Sequence, residues 1–287
     1  QGVSSAASDV YKRQHYDSTA PANAPTLYVV SIGIDQYEAP ELNKLENAVN
    51  DANGIVQSLE QNTKGLFSRV RPVALLNQQA ALKTITQTLI QVGKEAKPDD
   101  LIVLFLAGHG ISLDGRYYFM PYDAKLSGND MKEQIKNTAL TQKILSDLLS
   151  ALPTSRVAVL IDSCNSGAFA VMDSVMMRNP NQERAWTGSL AQNTGRFVLA
   201  GTSTEQEALD GINGHGVFTS VLLDGLSGKA DQEQGNRDNR INIAELLAYT
   251  KVKVPEEAHK IAPTHAQNVS GFFAGSEFFD LATPTTP

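Results

Sequence analysis

LIVLFLAGHG (101–110) and RVAVLIDSCNSG (156–167) decide how this chain is read. Each opens with a run of apolar residues of strand length and stops abruptly on small and polar ones. Neither run alternates apolar with polar. A strand without alternation is covered on both faces, as in a parallel sheet packed between helices. Such sheets bind ligands in the crevice beyond the carboxyl ends of their strands. The residues standing at those ends here are Gly108-His109-Gly110 and Asp162-Ser163-Cys164-Asn165-Ser166-Gly167.

The same kind of strand recurs on either side. LYVVSIGI (27–34) and RFVLAG (196–201) are also unbroken, whereas VRPVALL (70–76) carries Pro72, which lacks a ladder donor and marks an edge position. Helical stripes lie between them. Leu45, Ala48, Val49, Ala52, Val56 and Leu59 form one, Leu82, Ile85, Leu89 and Val92 a second, and Ile144, Leu145, Leu148 and Leu149 a third, ended by Pro153. Val217 to Leu226 and Ile243 to Val252 read as two more helices. Alternating β and α elements predict a three-layer α/β/α sandwich around a mostly parallel central sheet. Residues 165–195 break the rhythm and read as a long polar loop, a feature that is usually functional or disordered. At the ends, QGVSSAASDVYKRQ (1–14) reads as non-native sequence and HYDSTAPANAPT (15–26) as a flexible lead-in, while ATPTTP (282–287) is linker-like.

Bulk composition narrows the function. Of 287 residues, 41% are hydrophobic and 19% charged, an ordinary globular balance. The net charge of −7 argues against a nucleic-acid surface. A single cysteine, Cys164, allows no intrachain disulfide, and no CxxC or HExxH pattern supports zinc. No GxGxxG or GxxxxGK[ST] follows a strand, which disfavours nucleotide binding. No apolar run reaches the length of a membrane span, so no membrane partner is expected and cytoplasmic placement is the expectation.

If the strands ending in His109 and Cys164 are neighbours, an imidazole and a thiol share one rim of the sheet. A cysteine nucleophile needs that arrangement: the thiolate attacks, the histidine manages the proton, and backbone N–H groups hold the oxyanion. The amides of Cys164 and Gly110 are the expected oxyanion hole. A lone cysteine is more often a buried small hydrophobe and a lone histidine incidental, but two strand-end placements beside glycines reverse those odds. His215 is the rival base, because Gly214-His215-Gly216 repeats the tripeptide. It follows the polar stretch EQEALDGIN and precedes a helix, so it reads as a loop residue near the rim. His15 lies in the lead-in, and His259 and His265 in the polar C-terminal region.

On these residues the chain resembles the caspase-like cysteine peptidases (peptidase C14 type, the caspase-hemoglobinase fold), specifically the prokaryotic metacaspase-like or orthocaspase members. LYVVSIGIDQY and LENAVNDA are similar to the family's first strand and helix, and LAGHG and DSCNSG to its two catalytic motifs. FVLAGTSTEQEALDG, GHGVFTSVLLDGL and INIAELLAY resemble its small-subunit half. His109 and Cys164 stand 55 positions apart, near the roughly 50-residue caspase spacing. The implied division is a peptidase domain at 27–281, with a large-subunit-like part at 27–164, a linker at 165–195 and a small-subunit-like part at 196–281.

The resemblance also implies specificity. In metacaspases, an Asp two residues before the nucleophile and another in the first helix line the primary pocket, and the matching positions are Asp162 and Asp51. Two carboxylates favour Arg or Lys before the scissile bond, Arg gaining bidentate pairing. Taken alone, Asp51 would be the solvated face of an amphipathic helix and Asp162 a turn or cap residue. The expected partners are therefore proteins or peptides with basic residues, and self-cleavage in the linker has Arg178 and Arg184 as candidates. Ala48 stands where some metacaspases carry a second cysteine.

No cofactor is required by this chemistry. Calcium, used by many metacaspases, has two candidate places. Asp173 does not align convincingly with the family's acidic residues. In QEQGNRDNRINIAE (232–245), Asn236, Asp238, Asn242 and Glu245 mimic part of an EF-hand loop, but Gln234 and Asn239 replace its first Asp and its Gly. That segment reads better as a turn capping the helix near Ile241. Two other functions compete: a catalytically silent scaffold, which intact His109 and Cys164 disfavour, and another cysteine amide or thioester hydrolase, since the dyad does not name its acyl group.

Overall fold

The computed structural model describes residues 15–16, 20–21, 23–126, 130–163, 180–203, 211–263, 267–275 and 277–284. A central sheet carries the chain. It starts with β1 (His15–Tyr16), β2 (Thr26–Gly33), β3 (Arg69–Leu76) and β4 (Leu101–Ala107), with α1 (Ala48–Gln61) and α2 (Leu82–Glu95) as crossovers. A side sheet follows, built from β5 (Gly110–Leu113), β6 (Arg116–Phe119) and β7 (Leu140–Thr141), with α3 (Met131–Thr138) before its last strand. Then come α4 (Gln142–Ser150), β8 (Val157–Asp162), α5 (Pro180–Thr194) and β9 (Phe197–Ser203). The C-terminal part adds α6 (Val217–Asp224), α7 (Ala230–Gln234), β10 (Ile241–Asn242), α8 (Ile243–Ile261), β11 (Gln267–Phe273) and β12 (Asp280–Ala282).

Strand order in the central sheet is β1-β3-β2-β4-β8-β9-β11. The strands from β3 to β9 are mutually parallel, β11 runs antiparallel to β9, and two-residue β1 pairs antiparallel with Arg69 and Val70. Among the described residues nothing pairs with Pro72 on its outer side, as its missing N–H requires. Two residues of the lead-in thus take part in the sheet.

Strand alternation explains the unbroken apolar runs. Leu27, Val29, Leu101, Val103, Phe105, Ala158, Leu160, Phe197 and Leu199 face one helix layer, built on α1, α6 and α8. Their neighbours Tyr28, Val30, Ile32, Ile102, Leu104, Leu106, Val157, Val159, Ile161 and Val198 face the other, built on α2, α4 and α5. Both faces are dry, so these runs are almost wholly apolar, and the one hydroxyl in the middle of β2, on Ser31, is spent on the Ala52 carbonyl at 2.8 Å. The result is the expected three-layer sandwich.

The linker is shorter than the sequence suggests. Its second half is α5, which buries Trp186, Leu190 and Ala191 against the sheet. Reading 165–195 as loop throughout was an error that this helix corrects. Only one narrow face of α5 is apolar, so its sequence reads as polar linker. Arg184 is exposed on it, while Arg178 and Asp173 lie outside the described residues.

Candidate active site

The site grows from one ladder. β4 and β8 are adjacent and parallel, with Ala107 opposite Asp162, and the Gly108 N–H donates to the Asp162 carbonyl at 3.3 Å. The two motifs therefore leave the sheet side by side at one rim. Beyond it, the Ser163 hydroxyl accepts from the Tyr117 hydroxyl at 2.7 Å, and Tyr117 stacks on Trp186 with 4.2 Å between ring centroids. A Cβ on Gly110 would stand 2.7 Å from the Ser163 oxygen, so the histidine and cysteine motifs touch at this point. Cys164 itself lies outside the described residues.

His109 is buried, with 1% of its surface exposed. Its Nε2 lies 2.7 Å from the Asn43 carbonyl oxygen. A carbonyl only accepts, so Nε2 carries the proton and Nδ1 keeps its lone pair. Nδ1 is buried without a hydrogen-bond partner among the described residues. Burial holds the imidazole below its ordinary pKa, opposed by the Asn43 bond, which keeps the ring neutral. The loop bearing Asn43 is latched: Asn77 Oδ1 accepts the amides of Asp35 and Gln36 at 2.9 and 3.1 Å, and the Leu45 N–H donates to the Asp35 carbonyl at 2.9 Å.

Tyr37 holds His109 from the other side. Its hydroxyl accepts the His109 backbone N–H at 2.7 Å, and its ring lies 5.0 Å from the imidazole. Gly108, at φ +154°, lets the backbone pass beneath that hydroxyl; a Cβ would meet it at 2.7 Å. The Met120 N–H donates to the His109 carbonyl at 2.9 Å, which makes Gly110 and Phe119 a non-hydrogen-bonded pair of the β5–β6 ladder. The Gly110 amide is thus left out of that ladder.

Asp51 and Asp162 come together. Asp51 lies in the first turn of α1 on its buried face, 3% exposed, not on a solvated one. A Cβ on Gly216 would stand 3.3 Å from Asp51 Oδ2 and 3.2 Å from Asp162 Oδ2. The Thr219 hydroxyl donates to Asp162 Oδ2 at 2.5 Å. Burial, then the negative charge of Asp51, push the Asp162 carboxyl up to about 7. Burial also raises Asp51, opposed by His215, whose Nδ1 lies 2.9 Å from Asp51 Oδ1.

Residues 27–273 match the family model described as the caspase domain, peptidase C14. The chain belongs to the caspase-domain family. Solved structures share the fold at low identity. A Geobacter sulfurreducens protein is 17% identical with a TM-score of 0.51, covering 88% of this chain and 95% of its own. The structure titled pro-sf-caspase-1 is 14% identical at 0.53, covering 94% and 96%, and the Drosophila initiator caspase Dronc is 12% identical at 0.51, covering 95% and 87%. Nothing among the curated proteins matches the sequence.

Within this caspase domain, sequence reasoning missed what His215 does: it sits on Asp51, not merely near the rim. The one signal available was the repeated Gly-His-Gly. The 232–245 segment behaves as a turn. Asp231 accepts the amides of Asp238 and Asn239 at 3.2 and 2.9 Å, and Glu245 those of Asn236 and Asn242 at 3.2 and 3.1 Å, the latter closing the capping box of α8. Among the described residues no group of three His, Cys, Asp or Glu side chains is placed to hold a metal, and no helix is long and apolar enough to cross a membrane.

Proposed function

We propose that this caspase-domain protein is a cysteine endopeptidase with Cys164 as nucleophile and His109 as its base, cleaving after Arg or Lys. The observation that carries the reading is a buried Nδ1, without a partner among the described residues, on a histidine whose other nitrogen is committed to a carbonyl. Such a ring is a ready proton acceptor at the rim where the cysteine motif emerges. Nδ1 takes the thiol proton as sulfur attacks the substrate carbonyl, and the Gly110 and Cys164 amides steady the oxyanion. The imidazolium then protonates the departing amine. Water, giving its proton to the same nitrogen, attacks the thioester, and the proton returns to sulfur as the acid leaves.

The paired carboxylates of Asp51 and Asp162 supply the basic preference, since a cation between them relieves their mutual repulsion. Self-cleavage in the linker is part of the same reading. Arg184 lies on α5, which must unwind to enter a site that takes extended chain, so Arg178 is the better candidate. Calcium is tested only as an added condition, because Asn242 and Glu245 of the EF-hand-like segment already spend oxygens on backbone amides.

Fluorogenic peptides ending in Arg, Lys or Asp, assayed with and without calcium on wild type and Cys164→Ala, test this. Turnover of basic peptides by wild type alone is expected. Cleavage after Asp but not after Arg or Lys would overturn the pocket assignment. For the linker, intact masses of active protein and Cys164→Ala are compared, and equal masses refute self-processing.

A further inference from the structure

A carboxylate receives arginine best when both its oxygens face the guanidinium and take two parallel N–H groups. Asp51 offers no such face. The Gly216 N–H lies 3.1 Å from Oδ1 and 3.3 Å from Oδ2, which places it in the cleft between them. The His215 Nδ1–H then loads Oδ1 at 2.9 Å. Asp162 has its Oδ2 engaged by Thr219. Both carboxylates keep their charge-bearing role, but Asp51 keeps no open fork and Asp162 has one oxygen already engaged.

The imidazole is built into this place. A Cβ on Gly54 would stand 2.7 Å from His215 Cε1, so α1 is notched for the ring, and Leu223 lines the same notch. Asn50 Nδ2 donates to the Gly214 carbonyl at 2.5 Å, and the His215 N–H closes the turn onto the Ile212 carbonyl at 3.1 Å. The side chain of His215 is 19% exposed, against 4% for Asp51. A side chain entering the pocket therefore meets the histidine edge as well as the carboxylates.

We propose that His215 is a specificity-determining residue: by loading Asp51 and keeping the Gly216 amide in its cleft, it makes the pocket a charge well that takes lysine on nearly equal terms with arginine. An ammonium needs only proximity to negative charge, whereas a guanidinium gains its advantage from paired, aligned acceptors. Without the imidazole, the Asp51 carboxylate is held by one backbone amide and turns freely about its last torsion, whose well is broad. The fork then opens and arginine pulls ahead.

This rests on the basic-pocket reading above, and the experiment separates the two. Wild type, His215→Ala and His215→Asn are assayed on matched peptides ending in Arg or Lys. Agmatine and cadaverine are titrated calorimetrically into each protein carrying Cys164→Ala. The expected wild-type ratio of kcat/KM, Arg over Lys, lies within about threefold. His215→Ala raises it on the order of tenfold, one charge-assisted hydrogen bond, chiefly through a lower KM for Arg. His215→Asn, which restores a donor to Asp51, brings the ratio back towards wild type. A wild-type preference for Arg beyond about thirtyfold, or agmatine binding without cadaverine binding, overturns the inference while sparing the basic pocket. So does a ratio unmoved in both variants. If neither amine binds and neither peptide is cut, the basic pocket itself falls.

Discussion

Two copies of one tripeptide, Gly-His-Gly, stand at 108–110 and 214–216, and they do opposite things. His109 donates its Nε2–H to a backbone carbonyl, and its Nδ1 lone pair meets no partner among the described residues. His215 turns its Nδ1 onto a buried carboxylate and joins the cluster of Asp51 and Asp162. The first follows a strand covered on both faces, and the second follows a turn that folds back on α1. A histidine's chemistry is set by what accepts its hydrogen, and that acceptor is supplied by residues 66 and 164 positions away.

The contrast breaks most visibly in turnover. His109→Ala is expected to cut kcat on basic peptides by about 10²–10⁴-fold, with slower alkylation of Cys164 by iodoacetamide, whereas His215→Ala acts on KM. Equal losses of kcat in the two would erase the distinction. Next in size is Asp51→Asn. It removes one of two charges facing the substrate and should lower kcat/KM for Arg and Lys peptides on the order of a hundredfold, measured against a neutral-residue peptide that changes less.

A smaller effect sharpens the pocket electrostatically. With the Asp162 carboxyl pushed up to about 7, efficiency on basic peptides should rise as pH climbs through that value. Stability runs the other way. The folded state holds this proton more tightly than the unfolded chain, so stability falls between about pH 4 and 7 and is then flat with respect to this group. Asp162→Asn should flatten both profiles. The smallest change is Tyr37→Phe, which deprives the His109 amide of its acceptor. It should slow turnover a few-fold and cost about 1–3 kcal/mol in denaturant unfolding, leaving the Arg/Lys ratio untouched.

Most of the fold was legible because its central strands are dry on both faces. β2, β4, β8 and β9 advertise themselves as unbroken apolar runs, and the strand ends then point to the histidine and cysteine motifs. Edge strands and very short ones were not legible. QNVSGFF forms β11 at the sheet edge with one partner, β9, and GISL and RYYF form a short hairpin, so none carries a strong period. Asp51 was legible only through family resemblance, since nothing local to α1 says that its first-turn carboxylate turns inward to meet residues from β8 and the turn before α6. His215 was illegible for the same reason: its partner is fixed by tertiary packing.

The order of strands carries a last consequence. β8 precedes the linker and β9 follows it, yet they lie side by side, sharing a ladder from Ala158 to Asp162. Trp186, in the helical second half of that linker, is clamped on Tyr117 upstream of it. A cut in the linker ahead of α5 therefore severs the polypeptide without parting the molecule. The halves should migrate separately in detergent and travel as a single particle in native buffer.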